Sequence, residues 1–439
     1  MDVLIKVDKK EELSHIGISN VLEKYQFSEK RDRAFFTRLV EGTLERQITI
    51  DYVADQFSKT KIRKCKPLIR ALLRMGIYQL LYMDQVPDSA TCNEAVKLAK
   101  KRGFSRLSGF VNGVLRNISR KKETISYPKK DKNFVTYLSV TYSIPEWIIK
   151  FFMKTYDDET VEKIIESYLE DKKTTLCCLM SKGGKDVIRK ELEEENVTVE
   201  DGELIENAVK ISDYDFLYRL RAFREGKCYV QDESSMLCAK LAGAKEGQFV
   251  MDLCSAPGGK SLYTADQMKG SGQVLSRDLT EYKTDLIEDN IERMGFTNME
   301  AEVFDATILD EEHIEAADVV IADVPCSGLG IMGKKNDIKY HISEDGMKDL
   351  VKLQREILTN AVQYVKHGGT LIYSTCTINP EENEKNMQWI INNFDYEAVD
   401  ITEELPKNLK IETAKDGYIQ LLPGVHSCDG FFIAKLRRK

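Results

Sequence analysis

Two cysteines stand where strands would end: Cys326 in Asp323-Val-Pro-Cys-Ser-Gly-Leu-Gly330 and Cys376 in Ser374-Thr-Cys-Thr-Ile-Asn-Pro-Glu-Glu-Asn-Glu384. A cysteine that only packs hides mid-strand, and neither of these does so. Pro325 blocks continuation as a central strand. Asn379-Pro-Glu-Glu carries the cap, the first-turn proline and the first-turn acids of a helix start. Cys376 is therefore expected in a strand-to-helix turn, beside positive helix-end charge that favours a thiolate. The alternative for either cysteine alone is a small buried hydrophobe, but two on one sheet edge point to chemistry.

A second group of residues suits a ligand. The run Phe249-Val-Met-Asp252 opens into Leu-Cys-Ser-Ala-Pro-Gly-Gly-Lys-Ser261, which reads as strand, tight turn and helix start. Adjacent glycines and small side chains let a ligand lie against bare amides at a helix N-terminus. The Gly-x-Gly-x-x-Gly order of a dinucleotide site is missing, and so is the phosphate-loop register, because Cys254 stands five before Gly259. A nucleotide-like ligand without a long phosphate tail fits best, against the alternative of an ordinary turn. Three more apolar runs end in acids: 274–278, 302–305 and 319–323. Asp252, Asp278, Asp305 and Asp323 would then lie at or near strand C-termini, the edge where parallel α/β sheets bind ligands. Asp278 follows the glycine turn's strand at about the spacing, roughly 20 residues, at which a carboxylate meets ribose hydroxyls. One such Asp is commonly an N-cap; a succession beside a glycine turn is not so explained.

The elements that must position these groups are legible in the periodicity. From Cys228 onward short apolar strands alternate with amphipathic helices, predicting a parallel α/β domain over 226–439. Residues 1–125 read as a helical bundle: Phe36, Leu39, Val40 and Leu44, then Ile69, Leu72, Leu73, Ile77 and Leu80, then Phe110, Val111, Val114 and Leu115 keep helical spacing. Between them, 126–225 reads as a small α+β linker module, with a helix reaching Tyr168, a strand over 174–180 and an acidic helical segment near Glu191. The 439 residues contain no apolar run long enough to span a bilayer, and the first ten lack a signal peptide's order, so a cytoplasmic protein is expected. The ten cysteines form no Cys-x-x-Cys pair, and neither a metal site nor a disulfide framework is suggested. Net charge is -8, which argues against uniform nucleic-acid affinity. Yet 97–122 and 61–74 carry many Lys and Arg and no Asp or Glu, as a phosphate-binding surface would, although charge runs are commonly solvated faces.

On Asp32-Arg-Ala-Phe-Phe-Thr-Arg-Leu-Val-Glu-Gly-Thr-Leu44, Asn93-Glu-Ala-Val-Lys-Leu-Ala-Lys100 and Phe110-Val-Asn-Gly-Val-Leu-Arg116, the N-terminal part resembles the RNA-binding antitermination factor family NusB. On Cys254-Ser-Ala-Pro-Gly-Gly-Lys260, Asp323-Val-Pro-Cys-Ser327, Ser374-Thr-Cys376 and Asp429-Gly-Phe-Phe-Ile-Ala434, the C-terminal part is similar to the Sun-type RNA cytosine-C5 methyltransferases, and the whole chain to those acting on 16S ribosomal RNA. The resemblance implies a Rossmann-like class I methyltransferase domain. It implies an S-adenosylmethionine site formed by Cys254, Ser255, Ala256, Pro257, Gly258, Gly259 and Lys260 with Asp278, Asp305 and Asp323. It further implies Cys376 as nucleophile on cytosine carbon 6, Asp323 on the base edge, and Cys326 or a water in release of the adduct. RNA is the implied partner and a monomer is expected. Two places depart from the family pattern, Cys177-Cys178-Leu179 for an Arg-x-Asn and Gly333-Lys-Lys-Asn336 for an arginine-lysine-proline stretch, both expected to touch RNA. The alternatives are a non-catalytic RNA-binding assembly factor and the same chemistry on another RNA such as tRNA.

Overall fold

A computed structural model describes residues 1–25, 27–170 and 173–439. They form two compact units, one of Met1–Glu170 with Met332–His341, the other of Asp171–Ile331 with Ile342–Lys439. The module expected over 126–225 is thus shared between them, its helices from Phe134 to Ser167 in the first unit and its sheet with the helices Gly184–Glu194 and Arg221–Arg224 in the second.

The first unit is helical. The helices Lys30–Glu45, Gln47–Phe57, Pro67–Tyr82, Asp88–Lys101 and Ser108–Arg120 enclose a core containing Leu39, Ile50, Val53, Ile77, Tyr78 and Leu115. Helices at Phe134–Tyr142, Glu146–Phe152 and Asp158–Ser167 follow. Met332–His341 is built into the same unit: the Ser14 amide donates to Asp337 (2.7 Å), Lys339 Nζ to the Glu45 carbonyl (2.8 Å) and the Tyr340 hydroxyl to the Leu44 carbonyl (2.9 Å). The departure at 333–336 therefore lies in a segment that belongs to the helical unit. The two acid-free stretches are also only partly a free surface. Arg74 is buried, forked onto Asp51 at 2.8 and 2.7 Å and bonded to Asp8, and Arg70 joins Asp8 as well. Lys61, Lys97, Arg102 and Lys122 are paired with Asp55, Glu94, Asp2 and Asp88. Arg63, Lys64, Lys66, Lys100, Lys101, Arg106, Arg120 and Lys121 remain exposed. Lys66 lies 5.6 Å over the Phe104 ring, so the two stretches meet there.

The second unit carries two sheets. The strands are β1 (Thr174–Cys178), β2 (Thr198–Asp201), β3 (Ala208–Ser212), β4 (Cys228–Val230), β5 (Phe249–Asp252), β6 (Gln273–Asp278), β7 (Met299–Val303), β8 (Ala317–Asp323), β9 (Val365–Thr375), β10 (Tyr396–Ala398), β11 (Tyr418–Leu421) and β12 (Phe431–Arg438). The small antiparallel sheet has the order β2-β3-β1-β4; the large one runs β10-β12-β9-β8-β5-β6-β7, with β11 on β12. Strands β7, β6, β5, β8 and β9 are parallel, while β12 is antiparallel to β9. Because β6 follows β5 on one side and β8 lies on the other, strand order reverses at β5, the switch point beyond whose strands' carboxyl ends α/β sheets bind ligands. Alternate residues bury on opposite faces: Val250, Val319 and Ile321 meet the helices Glu233–Ala242 and Gly259–Gln267, whereas Met251, Val320 and Leu371 meet Glu344–Tyr364 and Glu384–Asn393. Helices on both faces explain the near-continuous apolar runs of these strands. Cys177, Cys178 and Leu179, the other departure, are wholly buried, which leaves them packing rather than contacting a partner.

No helix of the described residues is long and apolar enough to cross a membrane.

Candidate active site

The turn after β5 is drawn together by hydroxyls and carboxylates. Asp252, 1% exposed, accepts from Ser261 Oγ at 2.7 Å, and Ser261 lies 2.8 Å from Ser255 Oγ. Burial pushes the Asp252 carboxyl up to about 6, and its Oδ1 is a buried acceptor without a partner among the described residues. Ser255 N–H is tied to the Arg277 carbonyl (2.8 Å), which holds the turn against β6. Gly258 has φ +99°, a conformation that L side chains rarely adopt, and a Cβ on Gly259 would meet the Gln231 amide at 3.0 Å. Gly258 thus answers to its left-handed backbone and Gly259 to the closeness of Gln231, and together they let the turn tighten into the helix that starts at Gly259. Cys254 is half-buried, its thiol pushed up by burial. The Pro257 carbonyl accepts from Asn290 (3.0 Å).

Around this turn stand the acids. Asp278 Oδ2 accepts from the Ala256 amide (2.9 Å), and Oδ1 from the Leu279 amide and Lys283 Nζ (both 2.8 Å). Lys260 Nζ donates to Asp323 Oδ2 at 2.5 Å, and Ser374 Oγ to Asp323 Oδ1 at 2.8 Å. Burial pulls the Lys260 ammonium down, but Asp323, Cys238 and Asp252 together more than offset it and hold it above the usual lysine range. Asp305 falls two residues past β7, and its recorded bonds, to the Thr307 amide (2.9 Å) and hydroxyl (2.7 Å), stay in its own loop; these hold its carboxyl below the usual range. It is linked to the rest through Phe304 N–H, which donates to the Asp278 carbonyl (2.9 Å).

The two cysteines come together. Cys326, three residues past the end of β8, and Cys376, one past β9, have their sulfurs 3.3 Å apart, a thiol contact and not a disulfide. The Cys376 contact, burial and the Glu382 charge push the Cys326 thiol up. A close backbone crossing supports them: Gly330 N–H bonds the Cys376 carbonyl (3.1 Å) and Gly430 N–H the Gly330 carbonyl (3.0 Å), where a Cβ on Gly330 would lie 2.0 Å from the Gly430 oxygen. The expected helix start at Asn379 is corrected. The helix begins at Glu384, and 379–383 is a turn whose Asn379, Glu382 and Asn383 side chains bond into the site's floor instead of propagating a helix. Cys376 therefore has no helix end directly beside it among the described residues. Glu382, Asn383 and Gln354, all buried, are not legible in the sequence: Glu382 reads as a first-turn acid, and an isolated Gln in a 3.6-period helix gives no signal.

Residues 239–437 match the family 16S rRNA methyltransferase RsmB/F, and residues 1–120 match the NusB family. A Bacillus subtilis protein named probable ribosomal RNA small subunit methyltransferase B is 36% identical over 444 residues, spanning 100% of this chain and 98% of that relative. The chain belongs to this ribosomal RNA methyltransferase family. A Synechocystis family member of the same name is 30% identical over 99% of this chain and 98% of its own. The crystal structure of PH0851 superposes with a TM-score of 0.83 at 26% identity, over 99% of this chain and 98% of that one. Family membership makes the chain an RNA methyltransferase of the S-adenosylmethionine-dependent kind, in accord with the parallel sheet and its switch point.

Proposed function

We propose that the enzyme methylates carbon 5 of a cytosine in 16S ribosomal RNA through a covalent bond to Cys376. The observation that carries this reading is the thiol pair, 3.3 Å apart on the sheet edge that also bears the glycine turn. Cys254 to Lys260, with Asp278, Asp305 and Asp323, would hold S-adenosylmethionine; the helix N-terminus opened at Gly259 and the unpartnered Asp252 Oδ1 fit such a ligand. When bound, the cofactor supplies an electrophilic methyl group on a sulfonium sulfur.

Carbon 5 of cytosine is a poor nucleophile, and the protein's residues change that. The target base leaves its stack to enter the site. The Cys376 thiolate forms a bond to carbon 6 while N3 takes a proton from solvent, and Asp323, fixed by Lys260 and Ser374, accepts a hydrogen bond from that N3–H. The resulting enamine is nucleophilic at carbon 5. Once carbon 5 is methylated, Cys326, freed of the Cys376 thiol contact that had held its proton, loses that proton to solvent and as a thiolate accepts the proton that remains on carbon 5. The C–H electron pair re-forms the 5,6 double bond, the carbon–sulfur bond breaks, Cys376 leaves as thiolate and N3 gives back its proton. The exposed cations around Lys66 and Phe104 would hold RNA phosphates. The working arrangement is a monomer in the cytoplasm with three functional parts: 1–125 for RNA binding, 126–225 as linker and 226–439 for chemistry.

The test uses methyl-labelled S-adenosylmethionine and small-subunit RNA, digested to nucleosides. Label is expected in 5-methylcytidine with the native chain and nowhere with Cys376→Ala. Label in another nucleoside, or turnover by Cys376→Ala, overturns the reading.

A further inference from the structure

Beneath the two thiols lies a closed set of buried polar side chains that the chemistry above does not use. Glu382 is 0% exposed, and its carboxylate accepts from Ser327 N–H at 2.9 Å and Gln354 Nε2 at 2.8 Å on Oε2, and from Asn379 Nδ2 at 2.8 Å on Oε1. Gln354, also 0% exposed, gives its other Nε2 hydrogen to the Pro325 carbonyl (3.0 Å). A proline carbonyl can only accept, which fixes that amide's orientation. The residues before and after Cys326 are therefore both gripped, one directly by Glu382 and one through Gln354. Ser327 Oγ also meets Thr377 Oγ1 at 2.7 Å, joining the turn after Cys326 to the residue after Cys376. Cys376 has a separate grip: Asn383 accepts from Thr375 Oγ1 (2.6 Å) and donates to the Thr377 carbonyl (3.0 Å).

A fully buried carboxylate is costly unless its hydrogen bonds are satisfied, so its presence here calls for a use beyond packing. We infer that Glu382 is a positioning residue for release of the covalent adduct: acting on Ser327 directly and on Pro325 through Gln354, it fixes the turn that aims the Cys326 thiol at the site of Cys376. The inference rests on the covalent reading above and assigns Glu382 to one step of it. Loosening this grip misplaces the group that accepts the carbon 5 proton while leaving the Cys376 grip and the glycine turn intact. Displacements of about 1 Å in a catalytic group cost on the order of a hundredfold in rate.

The test compares Glu382→Leu, which removes all three acceptor contacts, with Glu382→Gln, whose amide oxygen can still accept from Ser327 and Gln354. Glu382→Leu should bind S-adenosylmethionine like the native chain and keep KM for RNA within about twofold. Its kcat should fall tenfold or more, and a protein–RNA species surviving denaturing electrophoresis should accumulate, as with Cys326→Ala. Glu382→Gln should restore turnover and lose the trapped species; a role limited to folding would instead lower cofactor binding and adduct formation together. If Glu382→Leu proves unfolded by circular dichroism, Gln354→Met decides in the same assay. Cofactor binding retained with no trapped species in the variant, while Cys326→Ala does trap RNA, overturns the inference and leaves the covalent mechanism standing. If Cys326→Ala itself traps nothing, the release scheme falls first and the inference with it.

Discussion

Replacing Asp278 with alanine should weaken S-adenosylmethionine binding by about 1 to 3 kcal/mol, roughly 5- to 150-fold in Kd, from lost charge-assisted hydrogen bonds to ribose hydroxyls. The structure supports a value in that range. Asp278 is 4% exposed, and its two oxygens already accept from the Ala256 and Leu279 amides and from Lys283, at 2.9, 2.8 and 2.8 Å. Its geometry is therefore fixed before any ligand arrives, and little ordering cost is left to subtract. The same carboxylate tethers Ala256 in the middle of the glycine turn, so alanine also loosens that turn, whereas Asp278→Asn keeps one acceptor oxygen and should lose less. Isothermal titration of the RNA-free enzyme measures this directly. Native affinity in Asp278→Ala would remove Asp278 from the cofactor site and refute the assignment of the edge.

Lys260→Met leaves Asp323 without its ammonium partner; breaking such a pair costs about 3 to 5 kcal/mol, so the melting temperature should drop and methylation should be lost, and an unchanged melting curve would argue against the pair. Lys339 is 3% exposed and burial lowers its ammonium to about 7. The unfolded chain, with an ordinary lysine near 10.4, then binds the extra proton between those values, so stability should rise with pH across about 7 to 10. Lys339→Met should remove that slope and stabilise the helical unit at neutral pH, as urea unfolding would register; parallel pH profiles for both proteins would rule it out. Replacing Lys64, Lys66, Lys100, Lys101 and Arg106 by alanine should weaken RNA binding and flatten the plot of log affinity against log salt by up to about 4. Equal slopes would mean that these charges are a solvated face.

Local signals in the chain determined the α/β alternation, the glycine turn, the strand-end acids and the placement of both cysteines at strand ends, because period-2 and period-3.6 patterns and Gly-Pro punctuation act over a few residues. The 3.3 Å approach of Cys326 and Cys376 could not be read, since β8 and β9 become neighbours only through the sheet order. The same holds for charge. Arg70 and Arg74 look like members of a basic stripe in sequence, yet they turn inward to Asp8 and Asp51, because burial of an ion pair is decided by which helices pack. Asn379-Pro-Glu-Glu is the clearest case. Its residues have the preferences of a helix start, and the tertiary structure overrode them by offering Glu382 and Asn383 buried donors and acceptors on the two cysteine loops. Glu382 bonds Ser327 and Gln354, 55 and 28 residues away, and only the packed molecule brings such partners within reach.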